Sequence, residues 1–264
     1  MTRRSWLAVL LSILGVGPTS AACRPAAAAD PSATSPFPYL TYRVTGEAAL
    51  SARTKLMAAG EGYPVIVGPP ETADLVSEAA SLDQRSVAEV LAAADTVRFP
   101  RDLLLRHAEE RRVEAAEVGE TYDDASQVGT WPALTNAETG GFLTRDLLSR
   151  TPHPEVLIVV LPTRDPAEAL AVLRFGGWNA CPLIETHVAA LRSWRDRFGF
   201  ELVGVGPDII EGRVARRPAD RAAALALARE MWAYSPDIVD QGTVDLATLA
   251  ATLMVSDDWF FWWD

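Results

Sequence analysis

Lysine is almost missing from this chain. Of 24 basic side chains only Lys55 is not arginine, and 35 acidic residues leave a formal net charge of −11. With no concentrated basic face, nucleic acid and anionic membrane surfaces are poor partners for it. Cysteine is scarcer still, at Cys23 and Cys181, and there are three histidines without ligand spacing. That set excludes a zinc site, and no metal or cofactor is expected. No G-x-G-x-x-G, P-loop, G-x-S-x-G or H-E-x-x-H pattern occurs, so the common nucleotide, serine-hydrolase and zinc-protease signatures are missing. The longest apolar run, Trp6 to Val16, falls short of the roughly 20 residues that span a bilayer, so no transmembrane span is expected in the mature chain.

What is present begins with an export signal. Arg3 and Arg4, the apolar run and the small residues up to Cys23 follow the three-part order of a secreted leader. "TRRSWL" looks like a twin-arginine signal, with the general secretory route as the alternative. Cleavage in "AAAAD" (Ala26 to Asp30) would leave Cys181 as the only thiol. Cleavage at "SAAC" would instead leave a lipid anchor on Cys23, although Ser20 stands where a larger aliphatic residue is usual. Both readings place the mature protein in the periplasm or otherwise outside the cytoplasm, and neither permits an internal disulfide.

The expected organisation is a signal peptide over 1–29, a flexible Pro/Ala/Ser linker over 30–36, an N-terminal α/β part over 37–155 and a C-terminal α/β part over 156–264. A polar, turn-rich insertion is expected near 109–152. The hydrophobic content of 49% is that of a globular protein with a real core. "YPVIVG" and "EVLIVVLPT" are nearly continuous apolar runs, as in strands covered on both faces. "DPAEALAVLRF" reads as a helix with Asp165 as N-cap and Pro166 at its first position. "FELVGVGPDIIEGRV" reads as two strands about a Gly-Pro-Asp turn, and "WFFWWD" as a terminal strand with Trp259, Phe261 and Trp263 on one face. The fold class is therefore α/β, a single domain built on a mixed sheet of five or six strands flanked by helices. Strands are expected near 63–67, 156–161, 200–205, 208–215 and 258–263.

Two stretches could carry chemistry. In "FGGWNACP", Gly176 and Gly177 end one helix and Pro182 opens the next, which makes Cys181 the N-cap at the positive end of a helix dipole. His187 lies six residues on, on the inward side of that helix, so a Cys/His nucleophile and base are conceivable. The alternatives are a small buried cysteine and a hydrogen-bonded histidine at the edge of the core. In "YSPDIVDQG", Asp237 and Asp240 stand i, i+3 on a short helix, where their carboxylates can share a face. Alternatively Asp237 complements the helix N-terminus, while Asp240 and Gln241 are solvated.

The runs "LPTRDPAEALAVLRFGGWNACP", "HVAALRSWRDRFGFELVGVGPDIIEGRVARRP", "ALALAREMWAYSPDIVDQG" and "WFFWWD" resemble the bacterial domain of unknown function 4253 family, closely over Val156 to Asp264 and more loosely at "GYPVIVG". The resemblance brings no established activity. It implies that Trp178, Asn179, Cys181, Pro182, Pro236, Asp237, Gln241, Trp262, Trp263 and Asp264 are the motif positions. Ser235 departs from the cysteine expected in many members, which weakens any mechanism needing two thiols.

Two functions remain in view. One is a non-enzymatic binding module for a small molecule or a protein, an immunity-like role among its forms, with Trp178, Asn179, Tyr234, Asp240, Gln241, Trp263 and Asp264 at the ligand. The other is a hydrolase or thiol-dependent transferase in which Cys181 works with His187 or Asp237.

Overall fold

A computed structural model describes residues 30–31, 35–133, 141 and 143–264. The expected signal peptide, residues 1–29, lies outside the described residues.

Among the described residues the strands are β1 (Asp30–Pro31), β2 (Thr41–Val44), β3 (Tyr63–Gly68), β4 (Val156–Leu161), β5 (Glu201–Val205), β6 (Ile209–Arg213) and β7 (Asp258–Trp262). They form one sheet in the order β1-β2-β4-β3-β5-β6-β7. The β3–β5 pair is parallel and every other pair antiparallel, so the sheet is mixed, with six strands plus the two-residue β1 at its edge. The α/β expectation holds.

The helices are α1 (Ala49–Ala59), α2 (Pro70–Ala80), α3 (Val87–Ala94), α4 (Arg101–Glu117), α5 (Pro166–Leu173), α6 (Ile184–Phe198), α7 (Arg221–Tyr234) and α8 (Leu246–Val255). A 3-10 turn covers Asp124–Gln127 and a π-helical turn Ile238–Thr243. Asp165 caps α5 through the Ala167 N–H at 2.9 Å, with Pro166 at the first position. Asp220 and Asp245 cap α7 and α8 in the same way, each giving an orphan N–H its acceptor.

The two faces of the sheet are covered unequally. Val65, Val67, Leu157, Val159 and Leu161 point into the larger core, to which α2 through α8 all contribute. Ile66, Val156 and Ile158 point the other way, against Ala49 and Ala52 of α1. This alternation is why β3 and β4 are apolar at nearly every position. Buried Arg53 ties α1 down, donating to the Pro64 carbonyl at 3.0 Å and the Leu202 carbonyl at 2.6 Å, and pairing with Glu201.

β7 is the outer plank. Trp259, Phe261 and Trp263 are buried in the larger core, while Phe260 and Trp262 are half-buried on the other side with their rings stacked at 5.4 Å. The polar stretch near 109–152 contains the second half of α4 and the 3-10 turn.

Candidate functional site

Residues singled out from both sequence stretches come into contact around Tyr234 and Trp263. The segment after α5 supplies Cys181 and His187, the end of α7 supplies Tyr234, the π-helical turn supplies Asp240 and Gln241, with Asp237 immediately before it, and the chain end supplies Trp263 and Asp264.

The chain reaches this arrangement through a tight reversal between α5 and α6. Arg174, Gly176, Gly177 and Asn179 all have positive φ, and Gly176, at +123°, lies where side chains are rarely tolerated. A Cβ on Gly176 would fall 2.5 Å from the Pro182 carbonyl oxygen and 2.6 Å from the His187 ring. The loop is closed by the Gly177 N–H donating to the Pro182 carbonyl at 2.8 Å and the Cys181 N–H donating to the Trp178 carbonyl at 2.8 Å. The N-cap of α6 is Leu183, not Cys181 as the sequence suggests. The sulfur therefore sits before the helix start, among buried side chains.

Cys181, His187 and Tyr234 form a hydrogen-bonded row. Cys181 Sγ lies 3.4 Å from His187 Nε2, and His187 Nδ1 lies 2.6 Å from the Tyr234 hydroxyl. His187 and Tyr234 are fully buried and Cys181 is nearly so. Rings enclose the imidazole, with Phe175 at 5.2 Å, Tyr234 at 5.2 Å and Trp263 at 5.4 Å between centroids. Trp178 packs edge-on against Phe175 at 4.9 Å and closes the outer side.

Burial keeps every member of the row neutral. It lowers the His187 pKa to about 3, against a small opposing effect of the Pro182 carbonyl. Burial pushes the Cys181 thiol up, helped by the Asp208 carboxylate and opposed by a backbone hydrogen bond from Gly177. Tyr234 is raised as well, first by burial and then by Cys181. A neutral imidazole satisfies both neighbours in either tautomer, accepting at one nitrogen and donating at the other. A thiolate–imidazolium pair would need two charges in a site that disfavours both.

Asp237 does not join the row. It accepts from Gln241 Nε2 at 2.7 Å and from the Asp264 N–H at 2.9 Å, which pins the chain end to the π-helical turn. Asp240 has other partners, accepting from Trp232 Nε1 at 2.9 Å and pairing with Arg111 of α4. The two carboxylates therefore have separate partners despite their i, i+3 spacing. Ser235 donates to the Trp262 carbonyl at 2.7 Å. Trp263 donates from its ring to the Tyr234 carbonyl at 3.1 Å and from its backbone to the Asp208 carbonyl at 3.1 Å.

Asn179, Asp240 and Asp264 are exposed and Trp178 and Gln241 half-buried, whereas Tyr234 and Trp263 lie inside. Sequence reasoning did not single out Phe175 or Asp208. Both fall within stretches that drew notice, "FGGWNACP" and the Gly-Pro-Asp turn, but their roles depend on contacts distant in sequence. Among the described residues no group of three or more His, Cys, Asp or Glu side chains could hold a metal ion, and no helix is long and apolar enough to cross a membrane.

The site thus defines an α/β domain whose polar centre is a sealed, uncharged row under a polar rim. Residues 157–264, from the second residue of β4 to the end of the chain, match the model of a family described as Domain of unknown function (DUF4253), and the match takes in Cys181, His187, Tyr234 and the rim. Comparison with curated proteins and comparison with solved structures each return no match.

Proposed function

We propose that the protein is an exported, non-catalytic binding module that meets a small ligand or a protein partner at the rim formed by Trp178, Asn179, Asp240, Gln241 and Asp264. The observation that carries this reading is the state of the Cys181–His187–Tyr234 row: covered by aromatic rings, with its imidazole pKa near 3 and its thiol pKa raised. Such a row positions the loop above it and activates no nucleophile. Tyr234 and Trp263 shape the rim from within. Export is supported by the order of charge, apolar run and small residues before Cys23.

The second reading, a thiol-dependent hydrolase or transferase, draws on the 3.4 Å contact between Cys181 and His187, with Tyr234 at the other imidazole nitrogen. Asp237, the alternative partner for Cys181, bonds to Gln241 and Asp264 instead. The two readings separate on Trp178→Ala. Partners retained from an envelope extract by the wild-type chain are expected to be lost by this variant while its circular dichroism is unchanged. An unchanged partner set would count against the rim.

A further inference from the structure

Helix α4 is held against α7 by a small cluster centred on Trp232. His107 packs edge-on to the Trp232 ring at 4.5 Å between centroids, and the Arg111 guanidinium lies 4.8 Å from the ring centre. The indole N–H donates to Asp240 at 2.9 Å, and Asp240 also pairs with Arg111. Trp232 is buried, and so is His107, at 6% exposure, with no hydrogen-bond partner for its Nε2. Beyond this cluster α4 is anchored by buried Leu103 and partly buried Leu104 against the larger core, while Leu105 and Val113 are exposed.

We propose that His107 is the titrating element of a latch that fastens α4 to the domain at neutral pH and releases it in mild acid. Its Nε2 is buried without a hydrogen-bond partner, so a proton gained there in the closed state would remain unsolvated. The charged groups around it divide by sign. Arg106 and Arg111 of α4 oppose a positive ring; Asp240 of the π-helical turn and Asp124 of the 3-10 turn favour one. Both carboxylates are already engaged, Asp240 by Arg111 and Asp124 by Arg229 of α7. Burial is the largest effect and Arg111 the next, and together they lower the His107 pKa to about 4 from its ordinary 6.5. An opened α4 returns the ring to water and its ordinary pKa. Between 6.5 and 4 the open form therefore binds more protons, and closure weakens as pH falls through that window. Release would free Asp240 from Arg111 and so change the charge of the rim, whatever the rim binds.

Hydrogen exchange of the full-length chain, read peptide by peptide at pH 7.5 and pH 5.0 and corrected for intrinsic rates, tests this. Protection of the α4 amides is expected to fall by roughly 25-fold between the two pH values. In His107→Phe, which keeps an aromatic edge on Trp232 without a titrating group, the α4 loss should vanish. His107→Gln, equally unable to titrate, serves if the phenylalanine is not accommodated. An α4 protection independent of pH in the wild type would overturn the proposal. So would the same α4 loss in the variants, which would place the acid sensitivity of α4 at a group other than His107.

Discussion

The chemistry of the site is decided by which side chains are sealed together. A cysteine and a histidine 3.4 Å apart look like a catalytic pair, yet burial favours the uncharged form of both, and Tyr234 completes the row without supplying charge. Gly176 is what lets the loop close over them. Gly176→Ala forces a Cβ against the Pro182 carbonyl and the His187 ring in a backbone conformation that L-residues avoid. The expected cost is roughly 2–4 kcal/mol, from overpacking added to backbone strain. Gly177→Ala has the same handicap in φ but its nearest obstacle is Leu183 at 3.6 Å, so about 1 kcal/mol is expected. Urea denaturation of the two variants checks this, and equal losses would mean that close approach at Gly176 contributes nothing. The candidate residues themselves were legible, because Gly-Gly-Trp-Asn-x-Cys-Pro is unusual. Their partnership was not: Tyr234 stands 47 positions from His187, and no local pattern joins them. The helix start was misplaced because Pro182 suggests an N1 position, whereas the closing bonds of the loop delay α6 until Ile184.

At the level of elements, the strands easiest to read were those buried on both faces. β3, β4 and the two strands about the Gly-Pro-Asp turn follow from apolar runs and turn residues. β2, "TYRV", is too short and mixed to show itself, although it pairs with β4 along its whole length. α4 is hidden for the opposite reason: it is long, but only Leu103 and His107 are buried, so its composition reads as a solvated excursion. β7 was legible because five aromatics in a row suit a strand packed on both faces. It brings Trp259, Phe261 and Trp263 into the core, and each buried aromatic contributes on the order of 2–3 kcal/mol. Deleting residues 259–264 removes a large share of the 5–15 kcal/mol typical of a folded domain. The truncated chain is expected to lose its cooperative thermal transition, and a sharp transition in a monomeric truncation would contradict the placement of β7.

For the whole molecule, the boundary of the family match and the boundary of the folding unit differ. The match begins in β4, but β3, which precedes it in the chain, sits between β4 and β5 and is the parallel neighbour of β5. A fragment of residues 157–264 alone would leave facing edges of β4 and β5 unpaired and lose the cover of α1 and α2. It is expected to be insoluble or unfolded by circular dichroism, and a folded fragment would show that the N-terminal strands are dispensable.

The central claim is that the polar row beneath the rim is sealed and carries no reactive thiolate. Native-state labelling of Cys181 tests it most directly, in a chain carrying Cys23→Ser so that one thiol remains. At pH 8 a charged disulfide reagent should fail to modify the folded protein over the time in which it reacts fully with the same chain in denaturant. Rapid stoichiometric labelling of the native protein, with a rate that rises through an apparent pKa below that of a free thiol, would contradict the account and restore Cys181 as a nucleophile.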